Sequence, residues 1–223
     1  MEFPKTTQNL FDIACKSESI TQRIKIISEQ LLNLPYCQNP LTPFGETEQF
    51  VYSLESFDCV TFLESVLALA LTKRCDNVEN ILRKIRYHNA QVSWQMRCHY
   101  MTNWIEENEK NGFIQLDLNF SNASIPRHLS ALKGYQEKDE IIHYCPIEFI
   151  QAPYDKIKDG ALLFFVSLKD NLDYFHVGFA IRDKNDNLYL RHAAKSIGCV
   201  NDEPFDHFLA RNEMLGITQA IAI

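Results

Sequence analysis

The chain has 223 residues, 46% of them hydrophobic and 23% charged, the balance of an ordinary globular protein with enough length to bury a substantial core. Its net charge of −7 removes any global basic field for nucleic acid or anionic lipid. No apolar run reaches the ~18 residues of a membrane span, since Val60–Leu71 is interrupted by Glu64.

The opening segment "MEFPKTTQNLFDIACK" lacks the apolar core of a signal peptide: either there is none or it has been trimmed. A trimmed signal would imply a periplasmic or extracellular protein, its absence a cytoplasmic one. Apolar residues then recur at helical spacing as far as Gly112. "SITQRIKIISEQLLNL" aligns Ile20, Ile24, Ile27, Leu31 and Leu34 on one helix face, with Ser19 as cap and Pro35 as stop. Asp58 can cap a helix starting at Cys59, in which Val60, Phe62, Leu63, Val66, Leu67 and Leu69 cover most of the circumference and predict burial. "CDNVENILRKIRYH" repeats the helical pattern, and "QMRCHYMTNWIEENEKNG" reads as a further helical segment closed by Asn111–Gly112.

Beyond Gly112 short β-rich runs take over: "GFIQLDLNF", "EIIHYCPIEF", "DGALLFFVS", "YFHVGFAIR" and "NLYLRHAA". "PFDHFLARN" reads as a short helix and "LGITQAIAI" as a last strand. The expectation is one α+β domain over residues 1–223, mainly helical to about 112 and mainly antiparallel strands after it.

Cys59 would hold the first helical position, where the dipole and free N–H groups favour a thiolate. Plain packing is the commoner fate of a cysteine outside a disulfide. A nucleophile needs a base. In "YFHVGFAIR" His176, Gly178 and Ala180 share the face opposite Phe175, Val177, Phe179 and Ile181, while "NLYLRHAA" puts Leu188, Leu190 and His192 on one face. If Arg182 pairs with Asp186 across a three-residue loop, His176 stands directly opposite His192, close enough for one ring to orient the other. A one-residue slip would separate them, and each histidine taken alone reads more readily as a satisfied structural residue than as a catalyst. Together the three residues match thiol acyl-transfer chemistry: Cys59 attacks, His176 moves the proton, His192 fixes the tautomer, and N–H groups at the helix start face the oxyanion.

The motifs "FDCVTFLE", "FHVGFAI" and "LYLRHAA", in this order, resemble the N-acetylmuramoyl-L-alanine amidase-like family of NlpC-type, papain-fold cell-wall hydrolases. Val60 and Ala194 depart from its usual Ser or Thr. "VSWQMRCHYMTNWI" resembles the family's R-x-H-Y…W segment, and "LPYC" the segment whose tyrosine lies near the oxyanion, which makes Tyr36 its counterpart. The resemblance spans roughly residues 30–200. It implies a papain-like fold with the nucleophile helix packed on the sheet, and a Cys59–His176–His192 triad. It also implies cleavage of an amide in peptidoglycan stem peptides or at the muramoyl–alanine link, without metal or cofactor. The substrate class comes from the resemblance alone.

Asp58, Trp94, Arg97, His99 and Tyr100 are candidates for the substrate cleft beside Tyr36. Arg97 suits a substrate carboxylate or, equally, a structural ion pair. No zinc spacing, GxSxG, HExxH, P-loop or dinucleotide fingerprint occurs. The expected partner is a peptidoglycan fragment or peptide, with no nucleic acid; oligomeric state is open. A thiol acyltransferase, a hydrolase of small acyl-amides, or a non-catalytic wall-peptide binder on the same fold are the rival readings.

Overall fold

The computed structural model describes residues 6–72 and 75–223; the first five residues of the segment read for an export signal lie outside it. Helices α1 (Thr7–Ala14), α2 (Ile20–Gln30), α3 (Cys59–Leu71), α4 (Val78–Arg86) and α5 (Met101–Lys110) precede nearly all of the sheet. The strands are β1 (Ile114–Leu116), β2 (Ala123–Leu129), β3 (Lys138–Pro146), β4 (Leu162–Val166), β5 (Tyr174–Arg182), β6 (Leu188–Ala194), β7 (Cys199–Pro204) and β8 (Gly216–Ala222), with α6 (Phe205–Arg211) between the last two. The mixed α+β expectation with an antiparallel sheet is met; α1–α5 lie before Gly112, and the named strands and α6 after it.

Ser19 caps α2 as expected, accepting from the Gln22 N–H at 3.4 Å, but the helix stops at Gln30. Asn33 in the left-handed region (φ 67°) turns the chain two residues before Pro35. At α3 the cap is reciprocal: Asp58 Oδ1 accepts from the Thr61 N–H at 2.8 Å, and Thr61 Oγ1 accepts from the Asp58 N–H at 3.0 Å. Every residue from Thr61 to Ala70 is buried, so α3 runs through the interior as its all-round apolar pattern predicts.

The sheet order is β2-β3-β8-β4-β5-β6-β7, all antiparallel, with β1 also on β8. The last strand of the chain thus lies in the middle of the sheet. One face carries Val177, Phe179 and Ile181 against a core shared with α2–α5, and the other carries Phe165, Ala180 and Leu190 against Phe205 and Phe208 of α6. That division reproduces the alternation of β5 from His176 onward. Phe175, expected beside Val177, falls at a bulge in the β4–β5 pairing, is exposed and meets Phe165 on the other face.

The β5–β6 register differs from the expected one. Phe179 pairs with Arg191 and Arg182 with Leu188, because the loop takes five residues, 183–187, rather than three. Asp183 holds that loop closed, its carboxylate accepting from the N–H groups of Asn185 and Asn187. The displacement is two residues, an even number, so His176 and His192 keep a common face and meet diagonally instead of directly.

Candidate active site

Three backbone features bring the candidate residues together. α3 starts at Cys59 and packs on β5 and β6. The β5–β6 ladder ends at Phe179–Arg191, so residues 176–178 have no β6 partner in register. Gly178 allows the strands to stay close there: a Cβ would stand 2.8 Å from Leu190 Cδ1 and 3.0 Å from both the Arg191 carbonyl and His192 Cβ.

His176 Nε2 and His192 Nδ1 are 2.6 Å apart, sharing one hydrogen across rings inclined at 83°. Phe208 lies beneath both, 5.6 Å from the His176 ring and nearly parallel to it, and 5.5 Å from His192 and edge-on. Burial, then His192, then Arg211 bring His176 down to about 3. Burial followed by Arg211 brings His192 to about the same value. Both imidazoles are therefore neutral at neutral pH.

The Cys59 thiol faces the N–H groups of Val177, Val60 and Cys59 itself, which favour the thiolate. Burial and next the Asp58 carboxylate outweigh them, pushing the thiol up to about 12. Among the described residues it hydrogen-bonds to neither imidazole; Val177, which it faces, is the residue after His176. Because Asp58 already takes the Thr61 N–H on its side chain and the Phe62 N–H on its carbonyl, the N–H groups of Cys59 and Val60 are the ones left at the helix start. Tyr36 is tied in by its own N–H to the Gly198 carbonyl (2.8 Å) and by a bridge to Phe57. Burial first, then the proximity of Cys59, raise its phenol.

On the Asp58 side a cavity of about 440 Å³ is lined by Asp58, Val60, Trp94, Arg97, His99 and Leu132, among others. Arg97 spends its guanidinium on Glu48 Oε1 (3.0 Å) and the Thr42 carbonyl (3.0 Å), lying 4.6 Å over the Trp94 ring. Of its two readings, the structural ion pair is the one found. His99 Nε2 donates to the Trp94 carbonyl at 2.9 Å, and burial followed by Arg97 takes its pKa down to about 4, so it too is neutral. Tyr100 is buried behind this wall, its hydroxyl accepting from the Leu132 N–H at 3.1 Å. A second cavity, about 510 Å³, opens beside His176 and His192 and is bounded by Phe175, Lys195, Phe208 and Arg211.

Glu203 and Arg211 escape the sequence reading. Glu203 Oε2 lies 3.2 Å from His192 Nε2, and Arg211 grips both oxygens of Glu203 at 2.5 Å. The signal exists but is conditional: Glu203 shares a face with His192 only once β7 is known as a strand, and "CVNDEP" has no apolar alternation to announce one.

The architecture recurs in solved structures. An N-acetylmuramoyl-L-alanine amidase from Bacteroides uniformis is 24% identical, covers 87% of this chain and 96% of its own, and superposes with a TM-score of 0.77. A protein from Legionella pneumophila is 20% identical over 97% of this chain and 93% of its own, with a TM-score of 0.82. Residues 26–217 match the AmiA-like, N-acetylmuramoyl-L-alanine amidase-like family. The chain belongs to this family, which implies a hydrolase acting on amides. No curated protein matches it.

Proposed function

We propose that the chain hydrolyses an amide bond of peptidoglycan, in the stem peptide or at the muramoyl–L-alanine link, with Cys59 as nucleophile, His176 as base and His192 as its orienting partner. In this reading the fold is papain-like and NlpC-type. The observation that carries it is the 2.6 Å contact between His176 and His192, made beside the N-terminus of a buried helix that starts at a thiol.

The resting pair is a neutral thiol and a neutral imidazole, so the proton moves as the bond forms and not before. In the reactive arrangement the sulfur leaves the Val177 N–H for His176 Nδ1, the nitrogen that His192 does not engage. The sulfur then attacks the amide carbonyl while Nδ1 takes its proton. The oxyanion meets the N–H groups left at the helix start, with the Tyr36 hydroxyl beside them. Collapse breaks the C–N bond, His176 returns the proton to the departing amine, and a thioester remains on Cys59. Water gives a proton to His176 as it adds to the thioester; the C–S bond then breaks, the acid leaves, and the proton returns from His176 to the Cys59 sulfur. Asp58, Trp94 and His99 line the cleft that takes the peptide; Arg97 braces it through Glu48, and Tyr100 supports its wall.

Cys59→Ala should reduce release of fragments from peptidoglycan sacculi by a factor of about 10³ or more, leaving only binding and the oxyanion donors. Equal release of the same fragments by both proteins would remove the mechanism.

A further inference from the structure

β5, β6 and β7 bring His176, His192 and Glu203 into one chain of polar contacts. His192 pairs in register with Asn201, so Glu203, two residues on, points to the same side of the sheet. The side chains of His192 and Glu203 are 1% and 8% exposed. Glu203 Oε2 lies within reach of His192 Nε2 but off the N–H direction, so this nitrogen has no regular hydrogen bond among the described residues. Arg211, from α6, donates from Nε and Nη2 to the two oxygens of Glu203 and from Nη1 to Ser196 Oγ at 2.9 Å.

We propose that Glu203, held by Arg211, is a positioning residue: it fixes the tautomers of both imidazoles so that His176 presents a bare Nδ1 to the thiol. The inference rests on the roles assigned above to Cys59 and His176.

The reasoning follows the hydrogens. An ionised carboxylate only accepts, so the ring nitrogen facing Glu203 is favoured as Nε2–H. A neutral His192 with hydrogen on Nε2 has its lone pair on Nδ1. Across the 2.6 Å contact His176 Nε2 must then donate, which leaves the lone pair of His176 on Nδ1, the nitrogen not turned to His192. The opposite order would put a hydrogen on that nitrogen and abolish the base.

Arg211 has a separate part. An unpaired buried carboxylate would draw a second proton onto His192, and an imidazolium there would donate from both nitrogens. His176 Nε2 would be forced to accept, and its hydrogen would move to Nδ1. The bidentate guanidinium offsets the carboxylate's charge and keeps His192 neutral while leaving the carboxylate in place as an acceptor. The downward shifts of both histidines agree in direction.

Nitrogen-15 spectra of histidine-labelled wild-type protein should show both imidazoles as neutral Nε2–H tautomers at pH 7. Glu203→Gln keeps the shape but offers an amide N–H₂ to His192. It should shift the pair toward Nδ1–H and lower kcat on muramoyl-peptide fragments by about 10–100-fold, with KM little changed. Glu203→Asp should recover part of the loss. A wild-type His176 with its hydrogen on Nδ1 would overturn the proposal without any variant, as would a Glu203→Gln protein with unchanged tautomers and kcat. If Cys59→Ala is inactive while Glu203→Gln behaves as wild type, only this inference fails; if Cys59→Ala is active, the parent reading fails.

Discussion

The helical half and the sheet half bury polar groups in different ways. Between α3 and α4, Glu64 and Arg86 form an ion pair at 2.7 Å, each side chain 2% exposed. Trp104 Nε1 donates to Glu64 at 3.3 Å, and Arg86 Nη1 to the Val51 carbonyl at 2.6 Å. Between β5 and β6 the buried pair is two neutral imidazoles. A carboxylate and a guanidinium, each stabilising the other's charge, have no proton to exchange near neutral pH. Two imidazoles share one that can move. The first arrangement suits holding α3 in place, the second suits moving a proton, and Glu203–Arg211 joins them: an ion pair whose neighbour is a neutral histidine.

The largest stability effect should come from breaking the ionic half. Arg86→Met removes the countercharge and leaves Glu64 buried and uncompensated, at a cost of about 3–5 kcal/mol. Urea unfolding measures it, and kcat of the folded fraction should stay within severalfold of wild type. A loss below about 1 kcal/mol would mean that Glu64 escapes burial or ionisation when alone, and the contrast between the halves would weaken. Gly178→Ala tests the other side. Its Cβ would meet Leu190 Cδ1, which can swing away, and the Arg191 carbonyl, which cannot. Overpacking should cost about 1–3 kcal/mol and push β6, with His192, off its line to His176. Here kcat should fall more than stability alone explains. A kcat equal to wild type would show that the histidine pair tolerates displacement.

The sequence and the structure agree most where one periodicity dominates. The turn of α3 at Cys59, its Asp58 cap and its complete burial follow from a run apolar on every side. The alternation of β5 puts His176 and Gly178 on one face and Val177 and Phe179 on the other, as found. The hairpin register departs by two residues from the expected one because the loop length depends on Asp183 closing five residues, which pattern does not reveal. β2 and β7 leave no legible pattern for a shared reason: "ASIPRHL" and "CVNDEP" are mostly polar or half-exposed, with Pro126 inside the first, and such strands carry little alternation. Without β7 as a strand, nothing in the sequence sets Glu203 beside His192. Long-range partners such as Glu48 for Arg97, 49 residues apart, leave no local trace at all.

The smallest effect discriminates most finely. An unfolded histidine binds its proton near the ordinary pKa of about 6.5, whereas folded His192 resists to about 3. Between those values the unfolded state holds more protons, so stability falls as pH drops, by at most about 1.4 kcal/mol per pH unit for this group. His128, whose pKa is raised by its Asp139 and Glu137 partners, and Glu64, raised by burial, act in the opposite sense over part of the range. The informative quantity is therefore the difference between wild type and His192→Asn in unfolding free energy from pH 6.5 to 5, a window above the ordinary carboxylates. Wild type should lose stability more steeply, since it alone must keep that buried ring uncharged. Equal slopes would mean that folded His192 takes up its proton as an unfolded histidine does, and a wild type that gains stability relative to the variant would mean that the ring is already charged in the folded protein. The sheet half would then bury charge as the helical half does, and its proton would no longer be free to move.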